Sequence, residues 1–178
     1  VIEAGLDAIG FSVDAATAET HDRARGIKGS FERVIQAIKN FQELKKELNS
    51  NIEIVIVCVF SVNNLEEVLK EVALLKDLGI KNISFIPFHD IGKLMNGVET
   101  MRPFKIEDNK IIEADRVIDK LIEMKKNGEP IDNSVGYLKL FKDAIRDKPL
   151  PISCYAGYAT LSVDGYGDIY PCFPRAEM

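Results

Sequence analysis

The chain has 178 residues, of which 46% are hydrophobic and 29% are charged, a composition typical of a globular domain. Its formal net charge of -5 and its dispersed lysines argue against a protein that binds nucleic-acid backbones, which needs a basic stripe. The longest apolar run, residues 54–60, is far shorter than the ~20 residues of a membrane span. Since no signal peptide is recognisable, we expect a cytoplasmic protein that binds neither nucleic acid nor membranes.

Three apolar segments have strand patterns and alternate with helical patterns. The first segment alternates with a period of two, and the second is apolar on both faces, as in a central strand covered on both sides. The predicted strands are residues 7–14, 52–60 and 82–88, and the predicted helices are residues 30–48, 65–78, 107–127 and 134–146. This order predicts an α/β fold with a parallel sheet, about half of a barrel, with an open edge at the first strand.

Two polar residues, Ser12 and Asp14, end the first predicted strand. In a parallel barrel, polar residues at the C-terminal end of a strand point into the mouth, where active sites lie. They are therefore the first candidates for functional residues. The alternative is that they only begin the next loop and cap it.

Residues 15–29 are predicted to be a polar loop, after which Ser30 caps the first helix. We expect His21, within this loop, to be solvated. The arginines of this loop, Arg23 and Arg25, are better functional candidates, because a guanidinium near a barrel mouth can bind a carboxylate through two hydrogen bonds.

The next strand and helix have simpler signals. Cys58, inside the second strand, is expected to be a small buried hydrophobe without chemistry. Asn63 is expected to cap the following helix, with Glu66 completing a capping box, and Gly79 to end that helix.

Two cysteines flank a predicted β-hairpin. Residues 158–163 and 168–171 are short alternating runs around a glycine-rich turn, with Cys154 before them and Cys172 after them. Such a pair can bind a metal, close a disulfide or do nothing. Because the chain has three cysteines and can bury its own core, a disulfide framework is disfavoured, and cluster ligation or half of a zinc site stay open.

Several motifs together resemble the radical S-adenosylmethionine (AdoMet) enzymes that carry a C-terminal SPASM or twitch extension. The matching segments are residues 5–14 (GLDAIGFSVD), 21–26 (HDRARG) and 29–34 (GSFERV), and then Cys154, Gly167 and Cys172. They resemble the family's fourth strand, the loop behind it, the start of the next helix and the opening of the extension. Residues 1–148 are then expected to be barrel, and residues 149–178 the start of the extension.

The resemblance implies a partial (β/α)6 TIM-like barrel that binds AdoMet against a 4Fe-4S cluster and generates a 5′-deoxyadenosyl radical. Ser12 is then expected near the ribose or the methionyl part of AdoMet. Arg25 or Arg33 is expected to neutralise the AdoMet carboxylate. Asn63 and Phe88 are expected to line the adenosine side.

The same resemblance implies that Cys154 and Cys172 are ligands of an auxiliary iron-sulfur cluster, since thiolates are the usual ligands of such iron. Asp14, from its position at the end of the first predicted strand, is the candidate for a catalytic residue at the barrel mouth. The family's Cys-x3-Cys-x2-Cys loop is absent from this sequence, whose only other thiol is Cys58.

We therefore expect a fragment of a longer enzyme, one that begins inside a helix and by itself is inactive and binds no cofactor. The parent enzyme is expected to be an oxidoreductase that modifies a peptide or a cofactor precursor, in peptide maturation or in quinone-cofactor or tetrapyrrole biosynthesis. Its expected electron donor is a ferredoxin or a flavodoxin, and the fragment is expected to self-associate through its open sheet edge. The alternative is a non-enzymatic module on a half-barrel that binds a peptide or another partner.

Overall fold

The computed structural model describes residues 2, 5–89, 104–151, 153 and 155–172. Its regular elements, in chain order, are β1 (Ala8–Ser12), α1 (Ala18–Arg25), α2 (Ser30–Glu47), β2 (Glu53–Phe60), α3 (Val68–Asp77), β3 (Asn82–Pro87), a 3-10 turn (Asp108–Lys110), α4 (Ile111–Lys126), α5 (Val135–Ala144), β4 (Ser162–Val163) and β5 (Ile169–Tyr170). None of the helices within these residues is long and apolar enough to cross a membrane.

The first three strands form a parallel sheet in the order β1-β2-β3. Ala8 pairs with Glu53 at one end of β1 and Ser12 pairs with Val57 at the other. The strand-helix-strand order of the sequence therefore gives the parallel α/β sheet that the apolar runs predict, with β2 in the centre.

Helices cover one face of this sheet. The residues of β2 on that face are almost completely buried: Ile54, Ile56, Cys58 and Phe60. They belong to one apolar core with residues from α2 to α5, among them Ile38, Val72, Ile118 and Phe141. Val55, Val57 and Val59, on the other face of β2, are only partly buried. The expectation that β2 is covered on both sides is therefore wrong for the described residues, because β2 has apolar residues on both faces but helices bury only one of them.

The segment predicted to be a polar loop contains a helix, α1. Thr17 has extended backbone angles and its hydroxyl accepts the backbone N–H of Thr20 at 3.5 Å, which makes Thr17 the N-cap. Gly26, at φ 68°, ends the helix. Glu67 also accepts hydrogen bonds from both threonine hydroxyls. This helix is fixed by its caps and by a distant carboxylate rather than by an apolar stripe, so its sequence has no clear periodic signal.

Helix α2 begins as predicted at Ser30, but Ser30 is not its cap. The carboxylate of Asp22 accepts the hydroxyl of Ser30 at 2.8 Å and the backbone N–H of Phe31 at 2.9 Å. The pKa of Asp22 is lowered by hydrogen bonds, first from Phe31 and then from Gly29 and Ser30, although desolvation raises it. A side chain from α1 thus satisfies the free N–H groups at the start of α2.

Helix α3 begins at Val68, three residues later than predicted, and Asn63 does not cap it. The residues before it form turns, in which Oδ1 of Asn64 accepts the backbone N–H of Ser61 at 3.0 Å. Gly79, at φ 77°, follows the helix end, as the sequence predicts.

The outer edge of β3 is paired with a short segment after α4. The backbone N–H of Ile83 donates to the carbonyl of Pro130 at 2.8 Å, and the carbonyl of Ile83 accepts the N–H of Asp132 at 2.8 Å.

Further along the same edge, the side-chain amide of Asn133 accepts the backbone N–H of Phe85 at 2.7 Å and donates to the carbonyl of Phe85 at 2.9 Å. The side chain of Asn133 thus makes the two hydrogen bonds that the backbone of a neighbouring strand would otherwise make. Ser134 then caps α5 by accepting the N–H of Tyr137.

The predicted hairpin is present near the end of the chain. Strands β4 and β5 are antiparallel, with Ser162 opposite Tyr170 and Val163 opposite Ile169. Gly167, at φ 93°, lies in the turn between them, where a left-handed backbone conformation favours glycine. The domain boundary at residues 148–149 stays a prediction.

Candidate functional site at the strand ends

The carboxyl ends of the three parallel strands meet at one edge of the sheet. Val13, just after β1, donates its backbone N–H to Val57 at 3.2 Å, and Phe88, just after β3, donates to Phe60 at 2.9 Å. Since the carboxyl ends of parallel strands share one edge, the predicted site residues Ser12, Asp14 and Phe88 all lie at this edge of the sheet.

Asp14 is the centre of a hydrogen-bond network at this edge and is only 6% exposed. Its Oδ1 accepts the backbone N–H of Val59 at 3.0 Å, so the carboxylate extends the β1-β2 ladder by one step. Its Oδ2 forms an ion pair with Nε of Arg25 at 2.7 Å. Both oxygens are therefore already engaged by the chain.

Asn64 joins β1 to β2 at the same place and is 2% exposed. Its Nδ2 donates to the backbone oxygens of Asp14 at 2.7 Å and Val59 at 2.8 Å. Asn63, for which the resemblance implies a place on the adenosine side of AdoMet, is half-buried and lines a separate cavity of about 250 Å³ between α1, the turn after β2 and the start of α4.

His21 is buried rather than solvated, with 2% of its surface exposed. Its Nδ1 accepts the backbone N–H of Asp14 at 3.1 Å, and its ring meets that of Phe31 edge-on at 5.7 Å between centroids. Burial lowers the pKa of His21, although the nearby carboxylate of Asp14 opposes this shift. A neutral ring suits this position, because Nδ1 must be an acceptor.

The two candidate arginines differ in their partners. Arg25 is charge-balanced by Asp14, and about a third of its side chain is exposed. Arg33 is exposed in the first turns of α2, and its Nη2 donates to the carbonyl of Lys28 at 3.4 Å. Among the described residues, no carboxylate forms an ion pair with Arg33.

Small residues line the uncovered face of β1 where it approaches this edge. Ala8, Gly10 and Ser12 are all exposed, and a Cβ atom built on Gly10 would meet nothing within 4 Å. Phe88, at the end of β3, is half-buried and stacks on Phe104 at 5.7 Å between ring centroids. Among the described residues, the uncovered face of β1 is therefore open beside Gly10 and Ser12.

Two of the three cysteines lie within the described residues. Cys154 lies outside the described residues, and Cys172 is a half-buried free thiol. Cys58 is fully buried on the helix-covered face, as the sequence predicts for a small hydrophobe. Within the described residues, no group of three or more His, Cys, Asp or Glu side chains is arranged to hold a metal ion.

Fold and site together define a half-barrel of the α/β class with a polar cluster and open space at its strand ends. No protein-family model matches the chain. The chain is 24% identical over 184 residues to the AdoMet-dependent heme synthase of Methanosarcina barkeri, a match that covers 95% of the chain and 48% of the relative. It is 27% identical over 178 residues to the antilisterial bacteriocin subtilosin biosynthesis protein AlbA of Bacillus subtilis, covering 94% of the chain and 33% of that relative.

A solved structure shares the fold. The crystal structure of Streptococcus suis SuiB bound to precursor peptide SuiA matches with a TM-score of 0.57 at 14% identity, covering 94% of this chain and 37% of that chain. These matches confirm that the chain resembles the radical AdoMet enzymes and has an α/β fold of their kind. The chain spans about half, or less, of the length of the curated relatives it matches.

Proposed function

We propose that the chain is part of a radical AdoMet enzyme that carries out an oxidoreductive modification of a peptide or a cofactor precursor. The observation that carries this proposal is the similarity of almost the whole chain to an AdoMet-dependent heme synthase and to a protein of bacteriocin biosynthesis. A peptide substrate is further supported by the similarity of the fold to SuiB, which was solved with a precursor peptide. The electron donor we propose is a ferredoxin or flavodoxin.

AdoMet binding is proposed at the strand ends. Ser12 and the exposed small residues of β1 leave room for the ribose or methionyl part, and Phe88 offers an aromatic side for the adenosine. Asn63, facing another cavity, is the weakest of the proposed contacts. Bound AdoMet would supply the carbon radical, whereas these residues only bind and orient it.

We assign the AdoMet carboxylate to Arg33 rather than to Arg25. A guanidinium that already has a carboxylate 2.7 Å away has little net charge to offer a second anion, and Arg25 is in that position. Arg33 has only a backbone carbonyl as its hydrogen-bond acceptor. Asp14, with both oxygens engaged, is then better suited to position Arg25 than to contact substrate, and its predicted catalytic role stays a prediction.

Binding measurements with the full-length, cluster-reconstituted protein test this assignment. We expect Arg33→Gln to weaken AdoMet binding about tenfold or more, the usual scale for a lost charge-assisted pair. Arg116→Gln, a matched change of an exposed arginine on α4, should bind as the wild type does. If Arg33→Gln binds normally, the arginine assignment is wrong; if the wild type itself does not bind AdoMet, the proposed function is wrong.

The described residues do not provide a complete iron-sulfur site. A fully protein-bound 4Fe-4S cluster uses four ligands, whereas Cys58 is buried against Glu71 and only Cys172 is an accessible thiol in the described part of the chain. We propose Cys154 and Cys172 as two ligands of an auxiliary cluster whose other ligands come from elsewhere.

A non-enzymatic module that binds a peptide is the second candidate. It is favoured by the exposure of two hairpin tyrosines, Tyr158 at 93% and Tyr166 at 95%, since exposed aromatic side chains are common in binding surfaces. A full-length protein that binds a peptide through this hairpin, but neither AdoMet nor iron, would support the module and contradict the enzyme.

A further inference from the structure

A carboxyl group is buried on the helix-covered side of the sheet. Glu71, in α3, is 0% exposed, and within the described residues its Oε1 has no hydrogen-bond partner. Its Oε2 lies 3.2 Å from Sγ of Cys58, which is also fully buried. Buried polar atoms without a partner are few in native proteins, and each requires a physical explanation.

The surroundings of Glu71 favour the neutral acid. The charged groups that act on it are two carboxylates, Asp14 and Glu67, and among the described residues no cation forms an ion pair with it. An ionised carboxylate is strongly disfavoured in such a place and takes up a proton instead. Burial above all raises the pKa of Glu71, although the hydrogen bond from Cys58 lowers it and the two carboxylates raise it further. Burial likewise raises the pKa of Cys58.

Short contacts connect this acid to the strand ends. Nδ2 of Asn64 lies 3.6 Å from Sγ of Cys58 and donates to the backbone oxygen of Asp14 at 2.7 Å. Asp14 in turn holds Nε of Arg25. A continuous series of polar groups therefore runs from Glu71 in α3, across β2, to the Asp14–Arg25 pair.

We propose that Glu71 is a neutral carboxylic acid that positions the Asp14–Arg25 pair. It acts through Cys58 and Asn64, whose orientation it sets by accepting a hydrogen bond from the thiol. The use of the pair beside an AdoMet site rests on the proposed function, whereas the state of Glu71 and its effect on the pair do not.

The protonation state is tested by unfolding as a function of pH. Glu71 has a reference pKa of 4.5 in the unfolded chain and a raised one in the folded chain. The stability that the neutral acid contributes is therefore fully present below pH 4.5 and is lost as the pH rises through the folded pKa. Between the reference pKa and the folded pKa of Glu71, the folded wild type holds more protons than the unfolded chain. In that interval its unfolding constant should rise with pH by up to about tenfold more per pH unit than that of Glu71→Gln.

The slope of the unfolding constant with pH is measured by urea unfolding of three proteins: the wild type, Glu71→Gln and Glu43→Gln. Glu43 is an exposed glutamate of α2, so its variant should keep the wild-type slope, and parallel slopes for all three proteins would overturn the proposal. If Glu71→Gln does not fold, infrared spectra of the wild type show instead whether Glu71 is protonated. A carboxylic-acid carbonyl band that persists at neutral pH supports the neutral acid, and its absence contradicts it.

The positioning role needs a second measurement. Glu71→Met keeps much of the volume but offers the thiol of Cys58 only a weak acceptor. We expect the Nε–H of Arg25 to exchange with solvent about tenfold faster in this variant, the scale of one lost net hydrogen bond. Leu75→Met, a buried change one turn further along α3, is the control and should leave this exchange unchanged. Should Glu71→Met not fold, Cys58→Ala removes the next link of the same series.

Unchanged Arg25 exchange in the folded Glu71→Met or Cys58→Ala protein would overturn the positioning role. None of these measurements uses AdoMet. A wild type that fails to bind AdoMet would therefore contradict the proposed function and leave the neutral Glu71 standing.

Discussion

A neutral imidazole holds the backbone at the end of β1. Nδ1 of His21 accepts the N–H of Asp14 at 3.1 Å, and a protonated ring, which carries a hydrogen on both nitrogens, cannot accept it. The connection between β1 and α1 therefore depends on the protonation state of a residue that is 2% exposed.

We predict that acid weakens the fold through His21. Burial lowers its folded pKa below the reference value of 6.5, so the unfolded chain binds the extra proton first. The stability that neutral His21 contributes is present above pH 6.5 and is lost as the pH falls through the folded pKa. His21→Asn, which keeps an acceptor near the position of Nδ1 but does not titrate, should show a smaller loss than the wild type in unfolding measured below pH 6.5. NMR titration of His21 with an ordinary midpoint would contradict this.

The sequence points to Asp14 at the strand ends but does not show which residues form hydrogen bonds with it. The alternation of residues 7–14 predicts Asp14 at the end of the first strand, and the structure has it two residues after β1. Its contact with Val59 joins residues 45 positions apart, and no local pattern encodes that distance. Likewise, Asn63 and Asn64 are equally good turn residues, and only the turn geometry decides that the second points inward.

Among the elements, the outer edge of β3 is completed by a side chain. Asn133 is 8% exposed and makes both backbone hydrogen bonds of Phe85 that a neighbouring strand would otherwise make. Since buried backbone groups are costly when unpaired, this one amide stabilises the central part of β3.

We predict that Asn133→Ala lowers the free energy of unfolding by about 2 kcal/mol, because two buried backbone groups lose their partner. Hydrogen exchange of the Phe85 amide should become faster in the same variant. Asn127→Ala, at the exposed end of α4, is the matched control and should change neither quantity appreciably. Equal effects of the two substitutions would show that water replaces Asn133 without cost.

Elements with apolar stripes could be predicted, and elements fixed by polar contacts could not. Helix α2, which has such a stripe, lies within one residue of its predicted bounds of 30 and 48, whereas α4 begins four residues later than predicted. Helix α1 depends on Thr17, its N-cap, and on Glu67, which is 50 positions away from Thr17 in sequence. A helix of this kind looks like a polar loop when only its own residues are considered.

At the scale of the whole molecule, the sheet has two different faces. Helices bury one face, with Ile56 at 0% exposure, whereas Val57 on the other face is only partly buried. Apolar residues on both faces made β2 look like a strand covered on both sides. The sequence shows which residues are apolar, but not whether other elements of the described part of the chain pack against them.

This asymmetry predicts different costs for introducing a threonine at two neighbouring positions of β2. Ile56→Thr places a hydroxyl in a closed apolar core and removes a methyl group from it, and should lower the free energy of unfolding by about 3 kcal/mol. Val57→Thr, nearly identical in shape, places its hydroxyl where water can reach it and should cost less than about 1 kcal/mol. Urea unfolding of the 178-residue chain measures both. A cost at Val57 as large as that at Ile56 would mean that this face is covered in solution, for example by a second copy of the chain, and unfolding would then depend on protein concentration.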